Sequence, residues 1–132
     1  MRYLSMFAFI IGTILFAACD TQDPGDCLCT EEFISIGVYV VDADRKPVEG
    51  VRIVVTVPRT GDTLEFAGYP SHNGYYSIAD DRMTESLPVD GEWLQMKGEK
   101  DTLRFDQAFF ISTGPCRCHV EKLFGPDTVT LK

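Results

Sequence analysis

The sequence predicts an all-β domain, an antiparallel Greek-key β-sandwich of seven strands, standing behind an N-terminal signal peptide. Three observations lead there. From Phe33 onward, apolar and polar residues alternate with period two, the repeat of a half-buried strand. Turn-forming clusters recur roughly every 8–12 residues, the spacing of a sandwich. No stretch of this region carries the i, i+3, i+4, i+7 apolar pattern of an amphipathic helix. At 132 residues the chain suits one domain and is too short for a TIM barrel or a two-domain enzyme. Its hydrophobic content of 45% excludes disorder as the main state.

The N-terminus reads as an address. Arg2 supplies a positive charge, and Met6 to Ala18 then runs without any. Such a stretch of helix spans only about 20 Å, short of the roughly 30 Å hydrocarbon core of a bilayer. A basic start, a short apolar run and the small residues Ala17 and Ala18 make a secretory signal over residues 1–18. Residues 19–32 read as an acidic tether, with Asp20, Asp23, Asp26, Pro24 and Gly25 ahead of Glu31 and Glu32. The domain proper is expected over 33–132.

Within it, Ile34, Ile36, Val38 and Val40 share one face of a first strand, and Asp42 to Pro47 forms a polar turn. Val51, Ile53, Val55 and Val57 mark a second strand, ended by Pro58. Leu64 and Phe66 begin a third after the Thr60-Gly61-Asp62 turn. Asn73-Gly74 is a strong turn signal, since both residues tolerate positive φ. A fourth strand follows over Tyr75 to Ala79, with Tyr76 and Ile78 facing inward. Residues 80–91 read as a loop, Trp93 to Lys97 as a fifth strand and Thr102 to Ser112 as a sixth. Cys116 to Leu123 is expected as a seventh, with Thr128 to Leu131 completing its edge beyond Gly125-Pro126-Asp127.

Two resemblances add to this. Phe16-Ala17-Ala18-Cys19 resembles the lipobox of bacterial lipoproteins, with Phe16 where the family usually carries Leu. The resemblance implies that Cys19 becomes the mature N-terminus and carries lipid. Several acyl chains, at about 0.8 kcal/mol per buried CH₂, would hold the protein on a membrane. Val38 to Ile53 (VYVVDADRKPVEGVRI) and Asn73 to Ile78 (NGYYSI) resemble the carboxypeptidase regulatory-like domains. Those are transthyretin-like β-sandwiches, common in secreted and envelope proteins and mostly accessory or adhesive. The resemblance implies a non-catalytic binding or structural module of the cell envelope, lipid-anchored through Cys19; an envelope protein and a glycan are the partner classes left open, and no residue selects between them.

Five cysteines are present, and lipid on Cys19 leaves two Cys-x-Cys pairs, Cys27/Cys29 and Cys116/Cys118. In an exported chain these favour disulfides between the two segments over bridges within each pair. Which cysteine meets which depends on strand direction. The alternative is a periplasmic metal site, since Cys27, Cys29, Cys116, Cys118 and His119 have the ligand types for Zn²⁺ or Cu(I). Its spacing departs from common zinc sites, and His119 is expected on the strand face opposite Cys118.

Nothing indicates catalysis or a cofactor. Ser71 and His72 are adjacent, a poor geometry for nucleophile and base even with Asp80 or Asp81 beside them. The chain lacks the Tyr-Arg-Gly-Ser ending of the transthyretin-like purine-ring hydrolases. Glu31-Glu32, Asp42/Asp44 and Asp80-Asp81 are weak Ca²⁺ candidates. Trp93, Tyr69, Tyr75 and Tyr76 are candidates for an aromatic platform. A net charge of −8 argues against nucleic acid as a partner, because phosphate contacts need clustered Lys and Arg.

Overall fold

The computed structural model describes residues 27–65 and 72–132. The proposed signal, Cys19 and the first part of the tether lie outside the described residues, as do Phe66, Tyr69 and Ser71.

The chain is mostly β, with no α-helix among the described residues. Its strands are β1 (Ser35–Val41), β2 (Arg52–Thr56), β3 (Tyr75–Asp80), β4 (Glu92–Lys100), β5 (Leu103–Ser112), β6 (Glu121–Phe124) and β7 (Thr128–Thr130). They form a three-stranded sheet in the order β3-β1-β7 and a four-stranded sheet in the order β2-β4-β5-β6. The period-two rows fill a single core. Val38 and Val40 of β1, Tyr76 and Ile78 of β3 and Val129 of β7 meet Val55, Leu94, Met96, Phe109 and Ile111 from the other sheet. Fully burying side chains of this size contributes about 1.5–3 kcal/mol each.

The turns that the sequence marks are present. Asp42 Oδ1 accepts from the amides of Asp44 and Lys46, closing the turn ahead of Pro47. Asn73 and Gly74 both take positive φ, 63° and 72°. A side chain at Gly74 would press on the Val40 carbonyl and the Val48 amide, each 2.9 Å from its Cβ. Tyr76 is fully buried. Its phenol donates to the Val48 carbonyl at 3.1 Å and accepts from the Val51 amide at 3.0 Å. One aromatic side chain thus fills the core and satisfies the backbone of the loop that leads into β2.

Three expectations are corrected. Among the described residues the third strand is a single bridge, Thr56 to Thr63, with the Leu64 amide donating to the Val55 carbonyl at 2.9 Å. The turn at Gly61 folds the chain back onto β2 for that one pair. The seventh strand begins only at Glu121, because Cys116 to Val120 forms turns and Arg117 takes a positive φ of 49°. Finally, Thr128–Thr130 does not extend β6. Gly125, at φ 124°, and the two residues after it carry the chain to the other sheet. There β7 lies parallel to β1, so the strands are not all antiparallel. Burial of Val129 and Leu131 in the shared core favours this crossing over one longer edge strand.

Candidate functional site

The two Cys-x-Cys segments meet. Cys27 is bonded to Cys116 and Cys29 to Cys118, with Cα separations of 5.6 and 5.2 Å. Both bridges link residues 89 positions apart, so the segments run side by side in the same sense. Residues 27–30, assigned to the tether from sequence, are therefore fastened to the domain. A disulfide sulfur offers no thiolate, the form that binds Zn²⁺ or Cu(I). In this oxidised form His119 alone remains of the five candidate metal ligands.

His119 is engaged elsewhere. Asp81 sits in the short 3-10 turn Asp81–Met83 that follows β3. Its carboxylate accepts from the Ile34 amide at 2.8 Å, from the Val120 amide at 3.0 Å and from His119 Nδ1 at 2.7 Å. Burial pushes this carboxyl up, but the hydrogen bonds from Ile34, His119 and Val120 outweigh it, and the group is held below the usual carboxylate range. An ionised carboxylate only accepts, so the imidazole carries its proton on Nδ1. In the neutral ring Nε2 is then an acceptor, and it lies 2.8 Å from Thr30 Oγ1. Thr30, His119 and Asp81 come from three separate parts of the chain and form one hydroxyl–imidazole–carboxylate line. Asp80 next door is also held low, first by the hydrogen bond from the Arg82 guanidinium, which overcomes burial.

Arg117 clamps this end of the molecule. Standing between the two bridged cysteines, its guanidinium Nη1 donates to the carbonyls of Thr84, Glu85 and Leu87 at 2.9, 3.3 and 3.1 Å. The positive φ at Arg117 is compatible with reaching across to that loop.

The remaining candidates separate. His72 lies in the turn before β3, and its proposed partner Ser71 is outside the described residues. Asp42 is occupied by its own turn, Asp80 by Arg82 and Asp81 by His119. Among the described residues no group of three or more His, Cys, Asp or Glu side chains is arranged to hold a metal ion. Of the proposed aromatic platform, Tyr76 is core, and Tyr75 packs edge-on against Tyr39 with ring centroids 5.0 Å apart. Trp93 is 46% exposed and groups instead with Phe110 at 5.0 Å and Phe124 at 5.6 Å. Phe110 pairs with Trp93 and with Phe124 across β4, β5 and β6. The alternation carried that signal, since Trp93 and Phe110 are out of phase with the inward Leu94, Phe109 and Ile111. Further along the same sheet, Arg52 pairs with Glu99 at 2.5 Å and Lys97 with Asp106 at 3.7 Å beside an open groove that also takes in Arg104 and Lys132.

The fold and the stapled end define an all-β, disulfide-bonded domain. No protein-family description, no curated protein and no solved structure matches the chain. Among the described residues no helix is long and apolar enough to cross a membrane.

Proposed function

We propose that the chain is a bacterial envelope lipoprotein, held on a membrane by lipid on Cys19. Its domain would be a transthyretin-like, Greek-key β-sandwich of the carboxypeptidase regulatory-like type, serving as a non-catalytic binding or structural accessory module. The observation that carries this reading is the pair of disulfides, Cys27–Cys116 and Cys29–Cys118. Such bridges persist in exported proteins and are rare in reducing compartments. They agree with the signal-like residues 1–18 and make Cys19 the odd cysteine, free for lipid. Two sheets of three and four strands around one core, with the turn at Pro47 and the Asn73-Gly74 turn in place, support the domain assignment.

The staple also supports an anchoring role. A pull on the tether at Cys27 passes through two covalent bonds into the turn before β6, rather than peeling β1 from its sheet. The half-exposed Trp93 and Phe124 give such a module an apolar contact surface on its four-stranded sheet.

Membrane fractionation of a Cys19→Ala variant in a bacterial host tests this. The expected result is release from membranes or accumulation of the unprocessed precursor. Correct processing with unchanged membrane association would overturn the lipoprotein reading.

A further inference from the structure

We propose that Thr30, His119 and Asp81 form a nucleophilic site that accepts an acyl group from activated esters. This replaces the non-catalytic part of the reading above; the lipid anchor and the accessory role stand or fall without it.

The argument is geometric. A hydroxyl becomes a useful nucleophile when a base lies within hydrogen-bond reach and a third group orients that base. Thr30 Oγ1 is 2.8 Å from His119 Nε2, and His119 Nδ1 is 2.7 Å from Asp81 Oδ2. Asp81 is itself fixed by two backbone amides, one from each side: Ile34 and Val120. His119 follows directly on the bridged Cys118, and Thr30 on the bridged Cys29. The same disulfide thus holds base and nucleophile at their separation. Thr30 is exposed, so an ester reaches it from solvent.

In the reaction, Thr30 Oγ1 attacks the ester carbonyl carbon and its proton passes to His119 Nε2. The carbon–oxygen bond to the leaving alcohol then breaks, and that alcohol takes the proton from the imidazole. Water, deprotonated by the same nitrogen, attacks the acyl-Thr30 ester. The free acid leaves and the hydroxyl returns. With the site open to solvent, water solvates the developing oxyanion. The acceleration therefore rests on general-base catalysis, about 10²–10⁴-fold.

The test uses the purified protein with both disulfides intact, treated with an alkyl fluorophosphonate and, separately, with 4-nitrophenyl acetate. Peptide mapping by mass spectrometry is expected to find the phosphonyl adduct on Thr30 in preference to other exposed hydroxyls. Nitrophenol release should fall about 10²-fold or more in His119→Asn. Thr30→Ala should abolish the adduct at that position. Thr30→Ser, which removes only a methyl group, should retain reactivity or gain it. That pair of variants leaves the imidazole and its fixing contacts intact, so it reads the hydroxyl even if His119→Asn folds poorly. Adducts spread evenly over surface hydroxyls, or a rate unchanged by Thr30→Ala, would overturn the proposal.

Discussion

Removing the disulfides one pair at a time and then together should give a strongly non-additive loss of stability. Each bridge spans 89 residues of chain. In the chain-entropy relation, closing a loop of that size stabilises the fold by about 4.6 kcal/mol at 25 °C. The two bridges, however, share nearly the same loop. Once Cys27–Cys116 has formed, Cys29–Cys118 closes only a ring of roughly six residues, which the same relation values at about 2 kcal/mol. Replacing either pair by serine should therefore cost about 2 kcal/mol, a fall in Tm of roughly 8–16 °C for a domain this size. Replacing both should cost about 7 kcal/mol, within the 5–15 kcal/mol that holds a typical domain together. The four-cysteine variant is thus expected to be largely unfolded at 37 °C, while each two-cysteine variant is folded. Urea titrations followed by circular dichroism, fitted for midpoint and slope, supply the numbers. A single-pair variant that loses 4–5 kcal/mol, or a double variant equal to the sum of the two, would refute the shared-loop reasoning.

Other perturbations bear on the core, the turns and the acidic groups. Tyr76→Phe leaves the Val48 carbonyl and the Val51 amide without their buried partner, and should cost about 1–3 kcal/mol in a urea titration, with the sheets intact. Gly125→Ala puts a Cβ into the ring of Phe109 at a φ of 124° and should cost about 3 kcal/mol. The matched control Gly61→Ala, with nothing within 4 Å, should lose only about 1 kcal/mol by calorimetry. Asp80 and Asp81 are both held below the usual range in the folded protein. Their stabilisation is therefore full above the unfolded value of about 3.9 and is lost as pH falls through the folded values. The urea midpoint should stay level near neutral pH and drop below about pH 4. An equally steep acid limb in the Asp80→Asn/Asp81→Asn double variant would contradict that assignment.

Most of the strand content was legible because one physical signal dominates it. Ile34 to Val40 alternates cleanly and buries toward its Val38 and Val40 end, and Val51, Val55 and Val57 bury as expected; of the Leu103 to Ile111 row, interrupted by Gln107, Phe109 and Ile111 bury while Leu103 stays exposed. Bridging between the two Cys-x-Cys segments was equally legible. The pairing order was not, because it depends on the relative direction of two segments that local sequence does not relate. The seventh strand was misjudged over Cys116 to Val120, where Val120 looks like a strand residue but the bridges and the Arg117 clamp fix a turn. The crossing of Thr128–Thr130 to the other sheet is a tertiary choice, made by where Val129 and Leu131 find apolar neighbours. The Thr30–His119–Asp81 line was invisible for a related reason. His119 was visible as a chemically able residue, but its partners lie 38 and 89 positions away, and only the fold says which of many acids and hydroxyls they are.

The parallel pairing of β1 with β7 governs when this domain can fold. Tyr39 to Val41 sit beside Thr128 to Thr130, and the first strand cannot complete its sheet until the last has been made. The bridges impose the same order, since Cys27 and Cys29 wait for partners 89 residues downstream. A chain emerging from the ribosome can pair β1 with β3 early, but the β7 edge and both bridges must wait for its last residues. Such long-range closure slows folding. The closed, stapled state therefore arrives only once both ends of the domain stand together.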